Sequence, residues 1–270
     1  MENDKMSLAP SKSTRATKAA CAQDGCVWIT GASSGIGMEL AKLYSAQGWR
    51  VAVSARNEEE LNKLAEQLPN CVAFPCDVTK AKNVNETITA IESDFAPIAL
   101  AILNAGIYLP TAIPHFDAKS FKRTFDVNVG GVINCLDALI PLMLERNFGQ
   151  IASVASVAGF NGLPTSAAYG ATKAALLNMS ESLAIEYAPY NLYFSVIAPG
   201  FVETPLTDKN RFSMPFILTV NDASQRIIDG LSKGTFLIAF PKRFVFILRM
   251  LQLIPRNIYV SMMRFFLKRK

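Results

Sequence analysis

The chain has 270 residues, 50% of them hydrophobic and 18% charged, and its apolar runs fall short of the ~20 residues that cross a bilayer, so we predict no transmembrane helix. The net charge of +5 arises at the end of the chain, because 242–270 carry eight Lys and Arg and no acid, which leaves −3 for the other 241 residues. A nucleic-acid-binding protein would spread its positive charge over a folded face, so we expect no nucleic-acid partner.

The first 25 residues are rich in Ser, Thr, Ala and Lys and lack the apolar centre of a secretory signal, so we expect a disordered extension over 1–25. The cysteines are Cys21, Cys26, Cys71, Cys76 and Cys135, and the only histidine is His115. No CxxC pair is present, and we expect no metal. The odd number of cysteines argues against a disulfide framework and favours a reducing, cytoplasmic location.

Apolar runs and amphipathic segments alternate from residue 26 onward. The runs predict seven strands, at 26–30, 50–55, 71–75, 98–103, 150–155, 192–198 and 235–240. The segments between them predict helices over 38–48, 57–67, 80–94, 117–146, 166–187 and 221–232, with a bend at Pro141. Because the strands are continuously apolar, both sheet faces must be covered, which predicts one doubly wound parallel α/β domain over 26–241.

A glycine-rich turn follows the first strand and opens the first helix. It reads Thr30-Gly31-Ala32-Ser33-Ser34-Gly35-Ile36-Gly37. Glycines there allow a tight turn that brings the backbone close to a pyrophosphate at the positive end of the helix. An ordinary loop can have the same composition, but the position between strand and helix favours a nucleotide site.

The second strand ends in Ser54-Ala55-Arg56, with a guanidinium where a carboxylate would bind the ribose of NAD. Arginine suits a 2′-phosphate, because its planar fork makes bidentate, charge-assisted hydrogen bonds. We therefore predict NADP(H) in preference to NAD(H). The alternative is that Arg56 is a solvated charge at the start of a helix.

Tyr169 and Lys173 are four residues apart, which places them on one face of the helix predicted over 166–187. An ammonium near a phenol favours the phenolate and lowers the pKa of the phenol toward neutrality, so we expect Tyr169 to act as a proton donor. Ser156 stands at the end of strand 150–155, where open parallel sheets bind ligands. Its hydroxyl can bond the same substrate oxygen or simply form a turn.

These motifs together resemble the short-chain dehydrogenase/reductase family, in its form with a TGxxxGxG turn, a YxxxK pair and a Rossmann-type fold. The resemblance runs from about residue 26 to residue 205 and continues more weakly to 241. Asp77-Val78, Asn104-Ala105-Gly106, Asn128 and the stretch from Pro199-Gly200 to Thr204 complete the motifs in the family's order.

The resemblance implies a role for each matching residue. Tyr169 would be the acid/base, Ser156 would steady the substrate oxygen, and Lys173 would tune Tyr169 and hold the nicotinamide ribose. Asn128 would anchor a water relay at a helix irregularity. The implied cofactor-binding residues are Gly31, Ser33, Ser34, Gly35, Ile36, Gly37, Arg56, Asp77, Val78, Asn104, Ala105, Gly106, Tyr169, Lys173, Pro199, Gly200, Val202 and Thr204. Homodimers and homotetramers are common in this family.

The segment after Pro199-Gly200, which is usually a mobile lid in this family, is apolar over 201–219, and so is the loop before Tyr169. The lid residues are Phe201, Leu206, Phe212, Met214, Phe216, Ile217 and Leu218, and the loop residues are Phe160, Leu163 and Pro164. They favour a hydrophobic carbonyl substrate, such as a lipid-like or steroid-like ketone. Ordinary packing of the lid would account for them equally.

The last 29 residues predict two helices, about 243–254 and 256–268, separated by Pro255. In the second helix, apolar residues recur every four positions, and arginine and lysine lie on the other side. This pattern is typical of a helix lying in a membrane interface, although packing on the sheet or on a partner subunit would also use an apolar stripe. In either case we expect an appendage that the chemistry does not need.

The leading hypothesis is an NADP(H)-dependent oxidoreductase that acts on a hydrophobic carbonyl or alcohol, in lipid metabolism and at a membrane surface. A 3-oxoacyl-thioester reductase and a non-catalytic NADP-binding sensor or scaffold are the alternatives. The complete set of Asn128, Ser156, Tyr169 and Lys173 counts against the last of these.

Overall fold

A computed structural model describes residues 19–111, 114–208 and 214–268. Its strands are β1 Cys26–Thr30, β2 Arg50–Ser54, β3 Cys71–Ala73, β4 Ile98–Leu103, β5 Gly149–Val154, β6 Leu192–Pro199 and β7 Leu237–Phe240. They form one sheet in the order β3-β2-β1-β4-β5-β6-β7, with every pair parallel. The predicted seven-stranded doubly wound sheet is confirmed.

Helices cover both faces of the sheet. They are α1 Gly35–Ala46, α2 Glu58–Gln67, α3 Ala81–Asp94, α4 Ala118–Phe125, α5 Gly131–Glu145, α6 Ala167–Glu186, α7 Val220–Ser232, α8 Lys242–Gln252 and α9 Arg256–Lys268. Val27 and Ile29 of β1 pack in a core cluster with α1, α2 and α7. Trp28, on the opposite face of the same strand, packs with α3, α5 and α6. Both faces of β1 are therefore covered by apolar residues, which explains the uninterrupted apolar run of this strand.

The helix predicted over 117–146 is interrupted by a π-helical turn at Asp126–Gly130 and is not broken at Pro141, which lies inside α5. Asn128, in the π-helical turn, donates from Nδ2 to the carbonyl of Ile107 and accepts at Oδ1 from the Ile107 N–H, at 3.0 and 2.8 Å. These side-chain hydrogen bonds tie the wider turn to the loop after β4. The structure thus has a helix irregularity at Asn128, as the family resemblance implied, and the bend at Pro141 stays a prediction.

The stretch Ala118–Glu145 is long and apolar enough to cross a membrane by length and composition alone, and an 18-residue window within it has a mean hydropathy of 1.7. Within the domain, Val132, Cys135, Leu139 and Met143 of α5 are buried in the core cluster that includes α3. A helix with one face in a protein core has the same apolar character. This packing accounts for the composition, and the absence of a transmembrane helix stays a prediction.

Part of the segment that we expected to be disordered packs on the domain. The N–H of Ala20 donates to Oε1 of the buried Gln150, at 2.9 Å, and Ala20 and Ala22 pack against the core. Residues 1–18 lie outside the described residues. The ordered body therefore begins before residue 26.

All five cysteines are free thiols, and three of them, Cys26, Cys76 and Cys135, are buried. Burial raises the pKa of Cys26 to about 12 and that of Cys71 to about 11. Across the described part of the chain, no group of three or more His, Cys, Asp or Glu side chains could hold a metal ion.

An ion pair ties the end of α5 to α3 and β4. Nη1 of Arg146 donates to both carboxylate oxygens of Glu92, and Nη2 donates to the Ile98 carbonyl. Glu92 in turn accepts from the Ile98 N–H at 2.9 Å. The side chains of Arg146 and Glu92 are only 25% and 19% exposed, so water can replace few of these contacts.

We expect Arg146→Met to lower the free energy of unfolding by about 2 kcal/mol, because Glu92 and the Ile98 carbonyl lose their partner while largely shielded from water. Chemical denaturation measures the change. Lys63→Met is the control, because it removes the solvent-exposed Lys63–Glu59 pair and should leave stability unchanged. Equal losses of unfolding free energy in the two variants would contradict a stabilising role for the Arg146–Glu92 ion pair.

Candidate active site

A cavity of about 1110 Å³ lies at the carboxyl ends of the strands, around the point where the strand order reverses between β1 and β4. Every predicted site residue except Gly37 and Asn128 lines it. The structure therefore brings the two sequence clusters, the glycine-rich turn and the Ser156-Tyr169-Lys173 set, to one place.

Hydrogen bonds between Thr30 and Asn104 join the ends of β1 and β4 beneath the glycine-rich turn. Thr30 Oγ1 accepts from the N–H groups of Asn104 and Ala105, both at 3.0 Å. Asn104 Nδ2 donates to the carbonyls of Thr30 and Gly31, at 3.0 and 3.1 Å. The backbone of the turn is thus held from below, and its upper side faces the cavity.

The turn has the form of an anion site. A Cβ at Gly37 would lie 2.5 Å from the Gly31 carbonyl oxygen, so only glycine lets α1 start this close to the turn. Ser34, at the N-cap of α1, makes no side-chain capping hydrogen bond, and it lines the cavity together with Gly35 and Ile36. The first N–H groups of α1 and its positive end therefore face the cavity, which suits a phosphate.

Asp77 marks the far end of the cavity. Its carboxylate accepts hydrogen bonds from Thr79 N and Oγ1, at 3.0 and 2.8 Å. Burial raises the pKa of Asp77, but the hydrogen bonds from Thr79 and the positive charges of Arg56 and Lys80 outweigh it and lower the pKa below its usual value. Arg56 is thus close enough to act on the groups at this end.

A smaller pocket of about 360 Å³ adjoins this end, and Arg56 and Asp77 line both cavities. Lys80 and Arg123 add two more cations to its wall, and Asp126 adds a carboxylate. Sequence reasoning identified Arg56 and missed Lys80, although it lies two residues after the Asp77-Val78 motif. It also missed Arg123, because only the fold brings this residue to the end of β2.

The catalytic candidates lie at the end of β5 and on the first turns of α6. Lys173 Nζ donates to the Val154 carbonyl at 2.7 Å and lies 5.4 Å from the centre of the Tyr169 ring. Ser156 Oγ donates to the Pro199 carbonyl at 3.2 Å and accepts from the Ala158 N–H at 3.1 Å. Ser156 therefore forms the turn that was one of the two expectations for it, and it also lines the cavity.

Burial dominates the ionisation of the tyrosine–lysine pair. It raises the pKa of Tyr169 to about 12, with a smaller lowering by the hydrogen bond of Ser156 and a smaller raising by Tyr108. It also lowers the pKa of Lys173 to about 8. The expectation that Lys173 brings the pKa of Tyr169 toward neutrality stays a prediction, and burial of the phenol acts in the opposite direction.

Two residues outside the motifs hold Tyr169 in place. The ring of Tyr108 packs edge-on against the Tyr169 ring, with centroids 5.2 Å apart. Thr172 Oγ1 donates to the Tyr169 carbonyl at 2.7 Å and accepts from Asn128 Nδ2 at 3.0 Å. Asn128 is fully buried, and through Thr172 it fixes the turn of α6 that carries Tyr169.

A family model described as short chain dehydrogenase matches residues 25–214. The chain belongs to the short-chain dehydrogenase family. An oxidoreductase of Staphylococcus epidermidis, itself uncharacterized, is 34% identical over 206 residues, which cover 76% of this chain and 90% of that protein. The protein is thus an oxidoreductase of this family.

Two solved structures show the same fold. A short-chain dehydrogenase from Sphingobium yanoikuyae in complex with NADPH is 25% identical, with a TM-score of 0.74, over 80% of this chain and 88% of that one. A 3-ketoacyl-(acyl-carrier-protein) reductase from Brucella melitensis complexed with NADH is 26% identical, with a TM-score of 0.73, over 79% and 94%. Relatives of this dehydrogenase thus bind both nicotinamide cofactors.

The terminal helices of this dehydrogenase form part of the cavity wall. Phe244 and Leu248 of α8 and Met263 of α9 line it. Gly200 makes this approach possible, since a Cβ there would lie 3.1 Å from the Phe244 ring and 3.3 Å from the Phe240 carbonyl oxygen. The terminal helices therefore pack on the body of the protein, which was one of the alternatives for their apolar stripe, and that the chemistry does not need them stays a prediction.

Four hydrogen bonds hold α8 and α9 on the loop before Tyr169. Asn161 Nδ2 donates to the Leu248 carbonyl, and Gln252 Nε2 donates to the Phe160 carbonyl, both at 2.8 Å. In the other two bonds, Arg256 Nη1 donates to Asn161 Oδ1 at 3.2 Å, and the Tyr259 hydroxyl donates to the Gly162 carbonyl at 2.8 Å.

The predicted lid contributes to the same wall. Phe201 and Leu206 line the cavity, as do Leu163 and Pro164 of the loop. Phe201 stacks on Phe244 at 5.6 Å between ring centres, and the Phe216 ring lies 6.2 Å from that of Phe244. Phe212 falls in 209–213, outside the described residues.

We expect the phenol of Tyr169 to stay protonated through neutral pH, because burial holds its pKa at about 12. Absorbance of the phenolate, followed against pH in the native protein and in Tyr169→Phe, isolates this one group. The difference between the two proteins should be flat up to about pH 10. A component that titrates near pH 7 would contradict this prediction and would indicate that Lys173 lowers the pKa of Tyr169.

Proposed function

We propose that this dehydrogenase uses NADP(H) and reduces a hydrophobic carbonyl compound. The observation that supports the proposal most strongly is that one cavity is lined by the glycine-rich turn, by Ser156, Tyr169 and Lys173, and by apolar side chains. Its five free cysteines support a reducing, cytoplasmic setting.

The residues present fit a nicotinamide dinucleotide. The turn at 31–37 would hold the pyrophosphate at the uncapped start of α1, and Arg56 would hold a 2′-phosphate with Lys80 and Arg123 nearby. The stretches 104–106 and 199–204 line the cavity between this end and Tyr169. When bound, the cofactor supplies or accepts the hydride.

Side chains of the protein would transfer the proton to the substrate oxygen. At neutral pH the phenol of Tyr169 is protonated, so it can donate to a carbonyl oxygen, with the Ser156 hydroxyl beside it as a second donor. In the opposite direction the phenolate that this donation leaves would accept the proton back, so the same pair of side chains would serve both directions.

Side chains around the substrate end favour an apolar molecule. Phe201, Leu206, Phe244, Leu248 and Met263 share this part of the wall, contributed by the lid and both terminal helices. Burying apolar substrate surface against them is favourable, and no charged side chain of the described terminal helices lines the cavity.

A 3-oxoacyl thioester is the second candidate substrate. The likeness to the ketoacyl reductase of Brucella melitensis favours it, and the basic terminal helices would suit an acidic acyl carrier. A panel of carbonyls graded by chain length and ring size, with a 3-oxoacyl thioester included, separates the two. Ketones turned over with the highest kcat/KM support the first candidate.

Tyr169→Phe should lower kcat by about 10³-fold and leave the Kd for NADPH unchanged, because the hydroxyl is removed and the ring that lines the cavity stays. NADPH oxidation with the best substrate of the panel measures kcat, and NADPH fluorescence measures binding. Tyr193→Phe, which removes a hydroxyl at the opposite end of the sheet, is the control. A fully active Tyr169→Phe protein would refute the mechanism and favour a different donor.

Arg56→Ala should raise the KM for NADPH about 10- to 100-fold and leave the KM for NADH unchanged, because only the 2′-phosphate loses a charge-assisted partner. Steady-state kinetics with both cofactors measure the ratio. Arg226→Ala on the exposed side of α7 is the matched control. Equal effects on both cofactors would show that Arg56 is a solvated charge.

A further inference from the structure

The two terminal helices, α8 and α9, have one face in the enzyme and one in solvent. Phe244, Leu248 and Gln252 recur at i, i+4 and i+8 and contact the body, where the first two line the cavity. Phe246, Met250 and Leu253 recur at i, i+4 and i+7 on another face and are 66%, 48% and 76% exposed.

Exposed apolar side chains are concentrated on the two terminal helices. Among the described residues, fourteen large hydrophobic side chains are exposed, and half of them belong to α8, α9 and the three-residue link between the helices. A monomeric protein rarely exposes so compact an apolar set without a use for it. The hydrogen bonds to 160–162 already tie the helix pair to the enzyme's own body, so the outer face is available for a different partner.

The positive charge of the terminal helices indicates the chemical class of the partner. The described terminal helices carry arginines and lysines and no acid, and no salt bridge joins their described side chains to a carboxylate. A second copy docked through the same face would place like charges against each other, which opposes a symmetric dimer there. An anionic lipid surface matches both features, since apolar side chains enter the acyl boundary and cations meet the headgroups.

We propose that the outer face of α8 and α9 docks this dehydrogenase on a bilayer that contains acidic phospholipid. The inner face of the same two helices walls the substrate cavity, so docking places that cavity about one helix diameter, roughly 10 Å, from the lipid. An apolar carbonyl compound dissolved in the bilayer then has a short path to Tyr169. This last step rests on the proposed function, whereas docking itself does not.

Sedimentation with vesicles tests the docking. The full-length protein is mixed with vesicles of phosphatidylcholine alone or of phosphatidylcholine with phosphatidylglycerol, at low and high salt. We expect it to pellet with the anionic vesicles and to be released by salt. Protein that stays in the supernatant with anionic vesicles at low salt overturns the proposal.

Two double variants test whether the outer face of the terminal helices is the surface that binds vesicles. The double variant Phe246→Ser, Leu253→Ser should weaken vesicle binding at least about tenfold, because it removes the two most exposed apolar groups of the helix pair. The double variant Phe116→Ser, Ile185→Ser removes groups that are 69% and 72% exposed elsewhere and should bind like the native protein. Equal binding by all three proteins overturns the assignment of the face.

A double variant without two of the cations tests the electrostatic part of vesicle binding, and turnover of a soluble carbonyl tests whether the variants keep their activity. Arg243→Gln, Arg264→Gln should weaken binding to anionic vesicles and reduce its salt dependence, even if the serine variant is destabilised. Turnover of a short, soluble carbonyl without vesicles should be native in both variants, because none of the changed side chains lines the cavity. Inactivity of every protein on all carbonyls would contradict the proposed function and leave the docking result intact.

Self-association is the competing outcome. Sedimentation velocity without lipid compares the native protein with Phe246→Ser, Leu253→Ser. An unchanged sedimentation coefficient supports the lipid surface as the partner. Dissociation of a native oligomer by this variant would overturn the proposal and assign the outer face to a second copy.

Discussion

The site depends on the joint between Thr30 and Asn104 at the ends of β1 and β4. Neighbouring parallel strands whose connections leave toward opposite sides of the sheet open a crevice between them. The side-chain hydrogen bonds of these two residues close the base of that crevice and hold the glycine-rich turn above it. The helix start, the cation cluster around Arg56 and the catalytic side chains are all placed relative to this joint.

Burial determines the chemistry at the other end of the crevice. Tyr169 and Lys173 are both buried, and burial disfavours the charged form of each, which raises the pKa of Tyr169 and lowers that of Lys173. Burial therefore favours the protonated phenol. Asn128 and Thr172, which do not line the cavity, and Tyr108, which does, keep that phenol in position.

The terminal helices connect the substrate region to the surface. Their inner side chains complete the apolar wall, and hydrogen bonds to 160–162 make that wall continuous with the loop before Tyr169. The family match ends at residue 214, so this part of the wall is contributed by a region beyond the matched range. The same two helices consequently form part of the cavity wall and an exposed apolar surface.

The sheet, the glycine-rich turn and the Ser156-Tyr169-Lys173 set could be predicted from the sequence. Strands buried on both faces leave apolar runs, and the residues of each motif lie at short, fixed spacings. Only the tertiary structure decided what distant residues do. Arg123 and Met263 reach the site through folding across many elements, and no local pattern marks them. The pKa of Tyr169 likewise depended on how much water the folded chain excludes, which spacing to a lysine cannot report. The two stripes of α8 were separable only once β7 and the 160–162 loop showed which side faces the enzyme.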